Sequence, residues 1–231
     1  MKIAIMQPYF FPYIGYWQLI NAADCFVVYD NIQYTKKGWF NRNRFLQNGK
    51  DEIFSIPLKK DSDYLNVDQR TIAENFDRKH LISRFQNAYA KAPNKKEVMP
   101  VIEHIINYEE TNLFLYIYNS IKTICNLLEI KTPIIISSSV DIDHTLRASN
   151  KVQAICKALN ANCYINPEGG TALYDKETFE RDGIKLQFLK SNNIIYKQFN
   201  NDFVERLSII DVLMFNPPEK VKEMLNEYEL F

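Results

Sequence analysis

The chain has no excess charge of either sign, no long hydrophobic run, no cysteine pair at metal spacing and no glycine-rich phosphate loop. Each absence removes a class of function. Lys+Arg and Asp+Glu balance at 28 each over 231 residues, so no global field steers the chain to DNA or to a membrane surface, and any anion-binding surface must be local. Met1-Lys2 is followed by only four apolar residues before Gln7-Pro8, too few for a secretion signal. Nothing approaches the roughly 20 apolar residues of a membrane span. A cytoplasmic protein is expected. The four cysteines, Cys25, Cys125, Cys156 and Cys163, lie inside predicted strands and helices without CxxC spacing and read as buried free thiols. The three histidines, His80, His104 and His144, share no ligand spacing, so no metal is expected. Neither a GxSxG elbow nor a Cys–His pairing marks a covalent nucleophile.

What the chain does have is α/β alternation. An apolar strand from Lys2 to Met6 runs into an aromatic, Pro-bearing turn, then an amphipathic helix from about Gly15 to Ala22-Ala23-Asp24 and a buried strand from Cys25 to Tyr29. Phe45-Leu46 and Ile53 to Leu58 flank Asn48-Gly49, a hairpin signal, with Pro57 marking an edge or strand end. Residues 77 to about 128 carry helical spacing, punctuated by Pro93 and Pro100. Strands then return at Pro133 to Ile136, Asn162 to Ile165, Ile184 to Leu189 and Ile194 to Tyr196, with a helix over His144 to Leu159. This order predicts one α/β domain over 1–231: a Rossmann-like, mainly parallel sheet flanked by helices, with a helical insertion or cover at 77–128.

Ligands of such sheets sit outside the carboxyl ends of the strands, which nominates the residues there. Tyr9 to Tyr16 hold five aromatics in eight residues, too many to face one core, and in and around this turn Gln7, Tyr9, Tyr13, Gly15, Tyr16 and Gln18 are site candidates. After the second strand, Lys36, Lys37, Arg42 and Arg44 surround Trp39 within nine residues. That chemistry suits a phosphate with a stacked base or sugar, and a solvated surface loop is the alternative. Ser138 lies in a Ser137-Ser138-Ser139 run that reads first as helix capping, and with Thr145, Arg147 and Lys151 it forms a third candidate cluster at a junction that faces the same crevice. Glu168, Gly169 and Gly170 follow the next strand, where glycine allows close backbone approach to a ligand. Glu168, Asp175 and Asp211 are candidate bases; Ser208 with Asp211 also fits a helix cap.

The segments MQPYFFPYIGYWQLI, ADCFVVYDNIQYTKKGWFNRNRF with the following IPL, SSS, CKALNANCYINPEGGTALYD, YKQF and LSIIDVLMFN resemble the WbqC-like family nearly end to end. The resemblance implies a cytoplasmic bacterial protein of O-antigen (lipopolysaccharide) or other surface-polysaccharide biosynthesis. More distantly, Tyr13-Ile14-Gly15-Tyr16 is similar to the HxGH signature of nucleotidylyltransferases and pantothenate synthetase-like ligases, with Tyr at both His positions. A phenol donates a hydrogen bond but carries no positive charge at neutral pH, so it stabilises phosphate less well.

Together these readings give the expectation of an acyl transferase that forms an amide, for example with glycine, on a nucleotide-linked amino sugar. Gln7, Tyr13 and Tyr16 would orient the reactants, the basic loop would hold the diphosphate, and Glu168, Asp175 or Asp211 would take the amine proton. The donor is left open among aminoacyl-tRNA, a thioester and an adenylate made with ATP. A nucleotidyl- or glycosyltransferase and a non-catalytic nucleotide-sugar-binding protein are the alternatives.

Overall fold

The computed structural model describes all 231 residues, Met1–Phe231. Its centre is a six-stranded sheet in the order β5-β2-β1-β6-β7-β8, formed by β1 (Lys2–Met6), β2 (Cys25–Val28), β5 (Ile134–Ile136), β6 (Cys163–Pro167), β7 (Lys185–Ser191) and β8 (Tyr228–Leu230). The first five strands in that order are parallel, and β8 pairs antiparallel to β7. The structure is therefore α/β with a mainly parallel sheet flanked by helices.

Both faces of the sheet are covered, which is why its inner strands read as continuous apolar runs. On one face Ile3, Ile5, Val27, Tyr164 and Leu186 pack with Val152 and Ile155 of α5 (Ala148–Ala158) and Phe179 of α6 (Lys176–Arg181). On the other, Ala4, Phe26, Val28 and Ile165 join a larger core. That core continues through α1 (Ile14–Ala22), α4 (Leu113–Leu127), α7 (Ile209–Phe215) and α8 (Pro218–Met224) into α2 (Arg78–Ala88) and α3 (Lys95–Ile106). The helices of the middle segment thus share an apolar core with the sheet. Asp77 caps α2 by accepting the His80 N–H at 2.8 Å, which fixes where the block begins.

Several elements depart from expectation. Helix α1 is not amphipathic: every residue from Ile14 to Ile20 is buried, and the segment from Met224 to Glu227 lies against the side left for solvent. The one strongly polar residue in that buried stretch, Gln18, donates to the carbonyls of Met224 and Glu227 at 2.8 and 2.9 Å. Pro100 lies inside α3 instead of between helices, on the solvent face where water can satisfy the carbonyl it leaves unpaired. The serine run forms a single 3-10 turn, Ser137–Ser139, and α5 starts only at Ala148, with no side chain capping it. Residues 194–196 are not a strand; they belong to a loop anchored by Tyr196.

The hairpin forms as expected. β3 (Arg42–Gln47) and β4 (Lys50–Ser55) pair in a separate two-stranded sheet around Asn48 (φ 51°) and Gly49 (φ 76°), the two positive φ values a tight hairpin turn needs. Arg42 and Arg44 therefore stand on a strand and not in the preceding loop. All four cysteines are buried and free, and no helix is long and apolar enough to cross a membrane.

Candidate functional site

Because β1, β2, β5, β6 and β7 are parallel, the segments that follow them leave from one edge of the sheet. Strand order reverses between β1 and β6: the chain moves from β1 outward to β2 and β5, then returns to the other side of β1. Such a switch point opens a crevice between the two diverging loops. Gln7 to Tyr13 line one side of it, and Asn166 to Glu168 the other.

The aromatic turn is built to hold its own shape. Tyr16 is buried and donates its hydroxyl to the Gln7 carbonyl at 3.0 Å, and Tyr9 donates to Gln7 Oε1 at 3.0 Å. Asn43 on the hairpin donates to the carbonyl of Phe11 at 2.9 Å, and the Phe10 N–H donates to Phe40 O at 2.9 Å, so the hairpin clamps the turn from outside. Tyr13 is different. It is 38 % exposed and its ring lies over the start of α1, where a Cβ on Gly15 would meet the ring carbons at 2.5 Å. Glycine at 15 is what lets the phenol lie there. Burial of part of the ring, followed by the Glu168 charge, raises the Tyr13 phenol above its ordinary value, while Arg206 pulls it down. Tyr9 is pushed up to about 12, by burial first and then by Tyr13. Both phenols are neutral hydrogen-bond donors at physiological pH.

On the β6 side, Glu168 is exposed at the start of a 3-10 turn. The two glycines behind it play different parts. Gly170 is packed against the Asn166 side chain, whose amide nitrogen would lie 2.7 Å from an added Cβ, so the close approach here belongs to the protein itself. Gly169 faces open space.

The cations of the basic loop are largely engaged with the loop. Arg42 donates to the carbonyls of Gly38 and Lys37, and Arg44 pairs with Asp51 at 3.2 Å and donates to Arg206 O at 3.3 Å. Their guanidinium carbons flank the Trp39 ring at 5.4 and 5.7 Å from its centroid. Lys36 pairs with Asp63 at 2.8 Å. Lys37 and the Trp39 ring, which is 39 % exposed, face solvent.

Two further carboxylates are occupied elsewhere. Asp175 caps α6, accepting from the Thr178 N–H at 3.1 Å and hydroxyl at 2.6 Å, and these hydrogen bonds lower its carboxyl below the usual range. Asp211 is completely buried in α7. It accepts from Tyr89 (2.9 Å), Tyr196 (2.7 Å) and Gln198 (2.7 Å), and burial raises its carboxyl against the pull of those three bonds.

Beside the crevice, beyond β2 and β5, lies a polar pit in which the nominated Ser137, Ser138 and Lys151 meet Asp30, Asn31, His144 and Asp68, which the sequence did not single out as site residues. The buried Asp30 Oδ1 accepts from Ser137 Oγ at 2.7 Å and the Ser138 N–H at 2.9 Å. Lys151, only 3 % exposed, reaches in from α5, donates to Asn31 Oδ1 at 3.0 Å and lies over the Tyr29 ring at 4.9 Å. Asn31 Nδ2 donates to His144 Nδ1 at 3.0 Å, which leaves the protonated His144 Nε2 to donate to Val140 O at 3.0 Å. Asp68 comes from a distant loop, carried in by the Gln33–Asn66 bridge and the Val67 N–H to Ile32 O bond, and its Oδ1 is buried without a hydrogen-bond partner. Burial first, then the Asp30 charge, raises the Asp68 carboxyl; burial lowers the Lys151 ammonium. The Tyr29 N–H bonds Met6 O at 2.9 Å, so pit and crevice share a wall. The signal for Asp30-Asn31 was its place directly after a buried strand; nothing in sequence placed Asp68.

Residues 7–223 match the model of the WbqC-like protein family. The chain belongs to that family. This WbqC-like protein is also 26 % identical over 218 residues, covering 93 % of each chain, to the protein named Uncharacterized protein Rv1507c of Mycobacterium tuberculosis. Membership in the WbqC-like family suggests a role in polysaccharide biosynthesis.

Proposed function

We propose that this WbqC-like protein is a transferase that acylates the amine of a nucleotide-linked amino sugar during surface-polysaccharide synthesis. The observation that supports the reading is the placement of Tyr13 and Glu168 on the two loops that diverge at the switch point, near enough for the Glu168 charge to raise the Tyr13 phenol, with tyrosine and not histidine at positions 13 and 16. Amide formation from an activated acyl group needs the attacking amine deprotonated and held in place, and asks little stabilisation of phosphate charge. In this reading Glu168 takes the amine proton and Tyr13 and Gln7 orient amine and acyl group. Tyr9 and Tyr16 are positioning residues that act through Gln7. Trp39 stacks on the base or sugar, Arg42 and Arg44 hold the indole, and Lys37, with the open backbone at Gly169, meets the phosphates, while Ser138 spends its N–H on Asp30. Arg147 belongs to the neighbouring pit. Asp175 and Asp211 serve the fold. The donor is aminoacyl-tRNA, a thioester or an adenylate made with ATP.

The test is incubation of the purified protein with nucleotide-linked 4-amino sugars, an amino acid such as glycine, and ATP or a preformed acyl donor, followed by mass spectrometry. An acylated sugar nucleotide that disappears in Glu168→Gln is the expected result. Release of pyrophosphate or a nucleoside diphosphate without acylation would point to nucleotidyl or glycosyl transfer. Binding of the sugar nucleotide without any turnover would make the protein a carrier.

A further inference from the structure

The pit beside the crevice contains charges that the protein does not join in ion pairs: Asp30 and Lys151 are buried, Asp68 is half-buried and Arg147 stands exposed at the rim. Lys151 forms no ion pair, although Asp30 and Asp68 both act on its charge. Of its three N–H donors, one goes to Asn31 Oδ1. Asp68 Oδ1 has no donor at all. Arg147, at the start of α5, adds a second cation whose field reaches both Lys151 and Tyr29. A buried charge without a partner is costly, and native proteins keep such arrangements where a ligand completes them.

The four charges sum to zero, and that decides the kind of ligand. A free phosphate or simple carboxylate would be drawn to Lys151 and Arg147 but would bring its charge beside Asp30 and Asp68. A simple amine would meet the reverse conflict. A ligand carrying both signs a few bonds apart satisfies both sets at once.

We infer that the pit is a subsite for a small zwitterion, an α-amino acid, with its carboxylate facing Lys151 and Arg147 and its ammonium facing Asp68 and Asp30. Binding alone is assigned to the pit; the inference rests on the transfer reading only for the use to which the amino acid is put. The shared wall at Tyr29 and Met6 puts the subsite next to the crevice where the sugar amine would lie.

Calorimetric titration of the full chain with glycine, L-alanine, glycolate, methylammonium and inorganic phosphate, with and without ATP, tests this. Glycine or alanine binds, and the analogues that lack one of the two charges bind at least tenfold more weakly. Asp68→Asn and Lys151→Met each weaken the amino acid at least tenfold. Arg147→Gln, a change to an exposed side chain that leaves the core untouched, weakens it severalfold, so the inference stays testable even if a pit variant fails to fold. Glycolate or phosphate binding as tightly as the amino acid would overturn it in favour of a plain anion site. Absence of amino-acid binding, with nucleotide sugar still bound at the crevice, would make the pit structural and leave the transfer reading standing. Amino-acid binding without any acylated sugar would do the opposite.

Discussion

Asp211 and the Asp30–Asp68 pair are carboxylates in the interior of one molecule, and their surroundings are opposites. Asp211 sits where the hairpin, the helical block and the 192–207 loop meet. Both of its oxygens are used, by Tyr89, Tyr196 and Gln198, and those partners are bound onward: the Leu46 N–H donates to the Tyr89 hydroxyl at 3.1 Å, and Gln198 bridges Val204 through both ends of its amide. The network closes on itself and joins segments far apart in sequence. At the carboxyl edge of the sheet the second network stays open, with one oxygen of Asp68 and two donors of Lys151 unanswered by protein. A closed buried network specifies a fold; an open one at the strand ends is where a ligand belongs.

The sharpest way to break this contrast is Asp211→Ala. Three buried donors lose their acceptor at about 1–3 kcal/mol each, and loss of a desolvated charge returns part of that, leaving a destabilisation of about 3 kcal/mol in urea denaturation. A smaller effect is expected of Tyr196→Phe. It removes one hydrogen bond to the carboxylate while keeping the ring against Phe215, and should cost roughly 1.5 kcal/mol. If either variant unfolds no more easily than the parent, the closed network is not holding these segments together.

Gly15→Ala moves from the fold to the site. The new methyl would drive the Tyr13 ring away from α1, and because that ring is partly exposed it can swing into solvent at little cost. Alanine also raises helix propensity, so stability should stay within about 1 kcal/mol of the parent. Affinity or kcat/KM for the nucleotide sugar should fall about tenfold, roughly 1.4 kcal/mol. A variant that melts earlier yet works normally would assign Tyr13 to packing.

These residues also show how far sequence reaches. Strands β1, β2, β5 and β6 were legible because a sheet covered on both faces needs apolar runs, β7 because apolar residues alternate with polar ones, and the hairpin because Asn48-Gly49 accepts two positive φ values. Strand β8, Tyr-Glu-Leu, is too short and too polar to register. Gln7, Tyr13 and Glu168 could be nominated because each follows a parallel strand or its turn, and position alone puts them at the ligand edge. Asp211 in its apolar run revealed burial but not its partners, which come from 122, 15 and 13 residues away. Asp68 was invisible, since its approach to Asp30 depends on an isolated bridge in a loop without periodicity. Arg42 and Arg44 are engaged mostly within their own loop and hairpin, with only the bond to Arg206 O reaching a distant segment, yet a count of charges cannot say which are already answered.

The smallest expected stability effect is the most telling. Burial and the Arg147 charge together lower the Lys151 ammonium more than Asp30 and Asp68 raise it, so the folded chain holds this proton less tightly than the unfolded one does. Below the depressed folded value the charged amine is a net cost to folding. As pH rises through that value toward the ordinary lysine range near 10.4, the unfolded chain binds more protons than the folded one, so stability contributed by this group rises. Lys151→Met removes the cost at every pH. It should therefore unfold no earlier than the parent at pH 7, and the gap between the two should narrow as pH rises and close only above the ordinary lysine value, as read from paired urea midpoints in which the other titrations cancel. The same variant should lose amino-acid binding. A Lys151→Met protein destabilised as far as Asp211→Ala would instead mean that the lysine completes the pit from within, and that both carboxylate networks are closed.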